Sequence, residues 1–342
     1  MSEPEKSETE IQRFPKFRDL LSLKNFRERG FLWRVVSGVT VLLLLFIFLA
    51  EYWSREPAIF DVVEAAAEYK GVKNPKELPL GYTYASTLIE IANTLLEKPG
   101  GFLSNDVFPP SVMLDNIPNW EYGALVALRD ATTALRNHIA RSQTQSQEDP
   151  DLAKGEPFFY FDYKSWQLPS SESEYEKGIE ALQSYRERLA GRAANFYSRA
   201  DNLRYYLEVL EKRLGDYSNR LSASTYDPGQ VPLGELRPGY ARTPWIRIDD
   251  EFFEARGYAW AALHVMRAIE FDFRDILGNK TAMVSLQQVI RELENSQKSF
   301  LSPVILNGSG FGLFANYSLT LANYIARANA ATIDLRSLLE QG

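Results

Sequence analysis

The feature that most constrains this chain is an uncharged apolar stretch near its N-terminus. From Val35 to Ala50 the sequence reads VVSGVTVLLLLFIFLA. A membrane-spanning helix needs about 20 mostly apolar residues, so this run reaches that length only with its flanks. Arg34 can extend its guanidinium to the lipid headgroups. Aromatic residues, which favour membrane interfaces, stand at both ends: Trp33, Tyr52 and Trp53. We predict a transmembrane anchor over residues 31–53, in contact with the lipid bilayer.

Charge asymmetry predicts the orientation of this anchor. Basic residues dominate before it: Arg13, Lys16, Arg18, Lys24, Arg27, Arg29 and Arg34. Acidic residues dominate after it: Glu51, Glu56, Asp61, Glu64 and Glu68. The positive-inside rule then predicts a cytoplasmic basic tail over residues 1–30 and a periplasmic location for the rest, on a bacterial inner membrane. A cleaved signal peptide is disfavoured, because the preceding stretch is long and no small-residue cleavage site follows the apolar run.

Apolar residues beyond the anchor recur at steps of three and four, which is typical of one helix face. The longest such stripe runs from Tyr175 to Leu221, after a capping box at Ser171 and Glu174, and predicts a coiled-coil-like helix of about 45 residues. Three further stripes cover Phe252–Ile276, Met283–Leu293 and Phe314–Leu338. The prediction is an all-α protein with a helical bundle over 171–342, in which the Pro- and Gly-rich segment 222–248 is a linker or a crossover.

The region of residues 54–170 is predicted to be more irregular. Three shorter helical patterns occur near Ala58–Tyr69, Tyr84–Glu97 and Asn119–Arg141, separated by joints rich in Pro and Gly. This region also contains the polar loop described below.

The chain contains few residues of the kinds that catalysis and metal binding require. It has no cysteine, and its two histidines are His138 and His264. No nucleophile, zinc or paired-carboxylate pattern emerges, so no catalytic residue, metal or cofactor is predicted. Residues 35–342 hold 30 Lys and Arg against 39 Asp and Glu, and this acidity disfavours nucleic acid as a partner.

One loop concentrates residues suited to ligand binding. It reads GGFLSNDVFPPSVMLDNIPNWE from Gly100 to Glu121. Its oxygen-rich side chains beside a tryptophan suit Ca²⁺, a sugar or a peptide. The candidate ligand-binding residues are Ser104, Asn105, Asp106, Asp115, Asn116, Trp120 and Glu121. The alternative is structural, because Asp and Asn also form turns and cap helices.

Two other features favour structural interpretations. The glycine cluster NGSGFG, Asn307–Gly312, lacks the lysine of a phosphate-binding loop and is predicted to be a turn between helices. His264 has no sequence neighbours that complete a metal site, and is predicted to be a packed, hydrogen-bonded histidine.

Three stretches carry a family resemblance: Gly100–Glu121, Phe158–Tyr175 (FFYFDYKSWQLPSSESEY) and Thr243–Ile276 (TPWIRIDDEFFEARGYAWAALHVMRAIEFDFRDI). In them the chain resembles a family of bacterial membrane-anchored proteins, a domain of unknown function. The resemblance covers nearly the whole chain from the anchor on. It implies a Gram-negative inner-membrane protein and brings no activity or functional residues with it.

Two functional hypotheses follow. The first is a non-enzymatic, inner-membrane-anchored scaffold or binding protein of the cell envelope, which acts on an envelope protein partner or associates with itself through its helices. The alternative is an envelope ligand-binding protein or hydrolase that acts on glycan or peptide through the 100–121 loop.

Overall fold

The structure, a computed structural model, describes residues 30–141, 147–225, 243–300, 302, 304–308 and 314–341. The chain forms two compact units, Met1–Glu51 and Tyr52–Gly342. The predicted cytoplasmic tail, most of the 222–248 segment and part of the glycine cluster lie outside the described residues.

The described part of the chain is helical, as predicted. In chain order the helices are α1 Gly30–Trp53, α2 Val62–Lys70, α3 Tyr82–Glu97, α4 Asn116–Ala134, α5 Pro150–Phe159, α6 Ser171–Ala190, α7 Ala200–Ser222, α8 Ile248–Asp272, α9 Arg274–Asn279, α10 Met283–Ser296 and α11 Tyr317–Glu340. A π-helical turn, Leu135–Ile139, follows α4. Within the described ranges there is no strand, only an isolated bridge between Asn307 and Asn316.

Helix α1 is apolar and uncovered. Over Trp33–Trp53 its mean hydropathy is 2.3, and none of its most apolar 18-residue window is buried. The predicted N-terminal apolar helix is therefore confirmed. Its length and composition suit a membrane anchor or a signal sequence.

The unit from Tyr52 onward is organised around α8, which packs against α3, α4 and α10. Helices α4 and α8 approach most closely at Gly123 and Gly257. A Cβ atom on Gly257 would lie 1.9 Å from the carbonyl oxygen of Trp120, and one on Gly123 would lie 1.9 Å from that of Glu254. Only glycine permits this approach, so these two positions bring the backbones of the two helices into contact.

The predicted 45-residue helix is wrong. The chain forms two helices there, α6 and α7, and the longest described helix is α8 with 25 residues. Helix α6 ends at Gly191, where the amide of Ala193 donates to Arg188 O at 2.7 Å and that of Arg192 donates to Leu189 O at 3.1 Å. Arg192 adopts a left-handed φ of 58°. These features form a Schellman-type helix end.

The two halves of the predicted helix pack on different partners, which explains why the chain breaks. Helix α6 lies against α3 and α5, whereas α7 lies against α11. Phe196, between them, continues the apolar spacing from a non-helical segment. Its ring packs 5.9 Å from that of Tyr84 and 5.5 Å from that of Phe273. The apolar periodicity of the sequence correctly indicates that Phe196 is buried, but a buried residue does not have to be helical.

Candidate functional site

The 100–121 loop is organised around the buried carboxylate of Glu121, a predicted ligand-binding residue. The amides of Leu103 and Ser104 donate to it at 2.9 and 2.8 Å, and the Ser104 hydroxyl donates at 2.5 Å. The ammonium of Lys98 forms an ion pair with the same carboxylate, and both side chains are almost fully buried. Burial raises the pKa of Glu121, and Lys98 opposes this shift. The carboxylate thus ties the start of the loop to α4.

Asn105 joins this loop to the segment before α6. Its side-chain amide donates to Ser165 O at 2.8 Å and to the Glu172 carboxylate at 2.7 Å. The rings of Phe108 and Trp166 also meet edge to face, 6.2 Å apart. The loop of residues 100–121 and the segment 160–170 therefore form one surface.

The other predicted ligand-binding residues lie apart from Glu121. Trp120 is fully buried, with its ring 5.1 Å from that of Trp260 in α8. Asp106 and Asp115 are exposed, and Asn116 is half-buried. The structure therefore brings Ser104 and Glu121 into contact, and it distributes the rest between core and surface. The buried oxygens Asn105 Oδ1 and Asn116 Oδ1 have no hydrogen-bond partner among the described residues. A ligand site in this loop stays a prediction.

The predicted membrane-interface residues occupy the two ends of α1. Arg34 and Tyr52 are exposed, and Trp33 is half-buried. Trp53, which belongs to the second unit, packs against the hydrophobic core. Its ring lies beside Gly100, where an added Cβ would be 2.9 Å from Trp53 Cγ. Gly100 has a φ of +89°, so two independent constraints favour glycine at this position.

The segment after Trp53 runs along α8. Glu56 forms an ion pair with Arg256, Ala58 O accepts from Trp260 Nε1 at 3.3 Å, and the Phe60 amide donates to His264 Nε2 at 3.1 Å. His264 Nδ1 lies 2.7 Å from Trp260 O, and its ring stacks on Phe60 at 3.9 Å. Each ring nitrogen of His264 thus has a backbone partner, as the packed-histidine interpretation predicts.

Asp272, at the opposite end of α8, caps helix α3, although it lies 188 residues after Tyr84 in the sequence. Its two carboxylate oxygens accept from the amides of Gly81 at 3.0 Å and Tyr84 at 2.8 Å. Burial raises the pKa of Asp272 to about 7, and the two backbone amides act against this rise. Helix α3 otherwise has no side-chain cap, because Gly81 precedes it. The sequence offered no signal for this contact, since the cap lies far away along the chain.

A cavity of about 170 Å³ lies between α8, α10 and α11. Its walls are aromatic and include Phe252, Phe300, Tyr317 and Tyr324. The guanidinium of Arg256 lines it but is engaged by Glu56 and by the carbonyl oxygens of Ser296 and Lys298. The cavity is therefore suited to a small apolar group, and its one buried cation is already neutralised.

Among the described residues, no group of three or more His, Asp or Glu side chains is placed to hold a metal ion. Several buried carboxylates instead form ion pairs or hydrogen bonds within the fold. Examples are Asp130 with Arg213 at 2.9 Å, and Glu292 with Arg327 at 2.6 Å. These pairs connect neighbouring helices.

Comparison with known proteins identifies a family. No curated protein and no solved structure matches the chain. The family model described as "uncharacterized protein conserved in bacteria (DUF2333)" matches residues 26–342. The match covers most of the chain and includes the three stretches on which the resemblance was noted, so the chain belongs to the bacterial DUF2333 family.

Proposed function

We propose that this protein is a non-enzymatic scaffold or binding protein, anchored in a bacterial inner membrane by α1, with its helical bundle in the periplasm. The observation that carries the proposal is α1 itself: an apolar helix of 24 residues that the fold leaves uncovered. A soluble core helix would be covered by its neighbours. The acidic residues that follow α1 and the basic residues that precede it support this orientation.

A topology test addresses the anchor and its direction. Alkaline phosphatase, which folds actively only outside the cytoplasm, is fused after residue 60 and, as the matched control, after residue 29. We expect activity from the first fusion and none from the second, with the protein retained in membranes after carbonate extraction. An inactive fusion after residue 60, or release of a shortened mature chain into the soluble fraction, would contradict the proposal.

The interior of the bundle supports a binding role over a catalytic one. The most buried ionisable groups are used to connect helices: Glu121 secures the 100–121 loop, Asp272 caps α3, and Arg256 holds Glu56. Such groups provide rigidity. A rigid helical unit is suited to presenting a fixed surface to a partner.

Partner binding is tested by site-specific photocrosslinking in the membrane. A photoreactive residue replaces Val284 on α10 or Leu80 before α3, both of which are exposed and lie outside the loops at the start of α8. A defined crosslinked band from one of these positions, either to another protein or to a second copy, supports scaffolding. Only diffuse products at every position would count against a protein partner.

A further inference from the structure

The segment that follows α1 defines one end of the bundle. From Glu56 to Phe60 the chain runs alongside α8 from Arg256 to His264. Residues before Glu56 therefore lie toward the first turn of α8. Trp53 lies against Gly100, just beyond the end of α3. We call this end, where α3 ends and α4 and α8 begin, the entry end.

Three loops meet at the entry end. The loop of residues 102–115 leads into α4, whose Asn119 donates to Asp250 in the first turn of α8 at 2.7 Å. The segment 160–170 is joined to that loop by the Asn105–Ser165 hydrogen bond. The third is the turn Trp245–Arg247, which directly precedes α8.

Exposed apolar side chains concentrate in these loops and beside them. In the described part of residues 52–341, seven large apolar side chains are more than two-thirds exposed. Six of them belong to the entry end: Phe108, Met113, Leu168, Trp245, Ile246 and Phe314. Phe314 belongs there through its neighbour Asn307, whose side-chain amide donates to Ser224 O just after α7. Near that end of α7, Arg220 pairs with Glu251, which lies near the start of α8. The exception is Val284, in the first turn of α10.

We propose that the entry end rests on the lipid bilayer and inserts these apolar side chains into the interfacial region, as a second membrane contact beside α1. This inference rests on the proposed membrane anchor. The bilayer is the favoured occupant because only two residues, Ser54 and Arg55, separate Trp53, the last residue of the apolar helix, from Glu56 in the bundle.

Distances along the chain place the loops on the same side of the bundle as Trp53. Three Cα-to-Cα steps span about 10 Å at most, so Glu56, which pairs with Arg256, lies within that distance of Trp53. Ile246 lies ten residues before Arg256, or about 15 Å further toward the start of α8 at 1.5 Å per residue. The turn that carries Trp245 and Ile246 therefore lies beyond Arg256 in the direction in which the chain leads back from Glu56 to Trp53.

The chemistry of the loops predicts which lipid is recognised. Trp, Phe, Leu, Ile and Met are the residues that bury well at the boundary between headgroups and acyl chains. The exposed charges of these loops include both acids, Asp106, Asp115 and Asp162, and bases, Lys164 and Arg247. The contact is therefore driven by apolar burial, and it requires no anionic lipid.

The test uses the cysteine-free sequence. Single substitutions Leu168→Cys and Ile246→Cys are labelled with an environment-sensitive fluorophore in the full-length protein, reconstituted in phosphatidylcholine vesicles with or without doxyl-labelled lipid. Val284→Cys is the matched control, since it is equally exposed but lies about 18 Å along α10 from Ser296, which binds Arg256. Leu43→Cys, within α1, reports on the anchor.

We expect blue-shifted emission and loss of intensity with doxyl lipid for Leu168, Ile246 and Leu43, and neither for Val284. If only the Leu43 label is quenched, the anchor stands and the second contact is overturned. If the Leu43 label is not quenched, the proposed anchor fails and the inference fails with it. Labels at Leu168 and Ile246 that shift to the blue without lipid quenching would indicate a protein partner or a second copy, which also overturns the inference.

Discussion

Arg256 and Glu56, 200 residues apart in sequence, form a two-point ion pair in which Nε lies 2.8 Å from Oε1 and Nη2 lies 2.5 Å from Oε2. The guanidinium also donates to the carbonyl oxygens of Ser296 and Lys298 at the end of α10. One side chain thus fastens the segment after α1 to α8 and to α10. The Arg256 side chain is only 5% exposed, so little solvent screens the pair.

The first prediction concerns this pair. Glu56→Gln leaves the buried guanidinium without a counter-charge, and we expect a loss of about 2–4 kcal/mol in the free energy of unfolding. The measurement is chemical denaturation of the full-length protein in detergent. Glu208→Gln is the control, because Glu208 pairs with Lys212 on the exposed surface of α7 and should leave stability unchanged. Equal effects of the two substitutions would refute a structural role for the Glu56 pair.

The second prediction concerns the contact between α4 and α8. Gly257→Ala places a methyl group against the carbonyl of Trp120, so the helices must separate, at a cost of about 1–3 kcal/mol or more. Gly278→Ala is the control, since no atom lies within 4 Å of the added Cβ. In α9 that change should be neutral or stabilising, because alanine favours helix. Gly257→Ala should lower the melting temperature and Gly278→Ala should not, and a tolerated Gly257→Ala would contradict the close approach.

The third prediction separates core from surface within the 100–121 loop. Trp120→Ala removes a fully buried ring, and we expect a loss of about 3–5 kcal/mol. Asp115→Ala changes an exposed residue whose side chain makes no capping hydrogen bond, so its melting temperature should stay close to that of the parent protein. Asp115→Ala is therefore the informative variant for a ligand role. If it lowers stability as much as Trp120→Ala, the assignment of Asp115 to the surface is wrong.

The fourth prediction concerns His264 and low pH. Burial lowers the pKa of His264 to about 3, against an ordinary 6.5. The unfolded chain then binds the proton more readily than the folded chain. The contribution of neutral His264 to the free energy of unfolding is therefore fully present above pH 6.5 and is lost as the pH falls toward 3. The full loss is on the order of 5 kcal/mol. In His264→Gln, which keeps a neutral donor and acceptor, the fall in stability below pH 6.5 should be smaller than in the parent, as measured by denaturation at each pH. Parallel pH profiles would contradict the prediction.

The shifted pKa of Asp272 changes stability with pH in the opposite direction, which gives a fifth prediction. Its pKa is raised from 3.8 to about 7, so the folded chain retains a proton that the unfolded chain releases. Its contribution to stability is complete below pH 3.8 and declines as the pH rises to about 7. Asp272→Asn cannot ionise, so we expect its stability to fall less than that of the parent over this range. It should also be less stable at pH 8, because the Asn NH2 group that replaces one carboxylate oxygen cannot accept from a backbone N–H of α3. An unchanged pH profile would mean that Asp272 is not buried as described.

The amino-acid sequence by itself determined the two C-terminal helices, α10 and α11, and the apolar segment. Helix α10 follows its apolar stripe closely, from Met283 to Ser296, and α11 runs from Tyr317 to Glu340 along the predicted face. These features depend on residues three or four positions apart, and such neighbours are visible in the sequence. The apolar run of α1 is visible in the sequence for the same reason, because all of its residues are consecutive.

Only the tertiary structure decided the rest, because the deciding contacts join residues far apart in the chain. The spacing around Phe196 is helical, yet that ring is buried from a loop, since α6 and α7 pack on different partners. Glu121 and Trp120 are adjacent in sequence, but one neutralises Lys98 and the other packs on Trp260. Phe108, Leu168 and Trp245 are spread over 137 positions, and the fold places all three at the entry end. Local sequence patterns indicate which residues are buried or helical. The contacts that decide what each residue does form only when distant parts of the chain fold together.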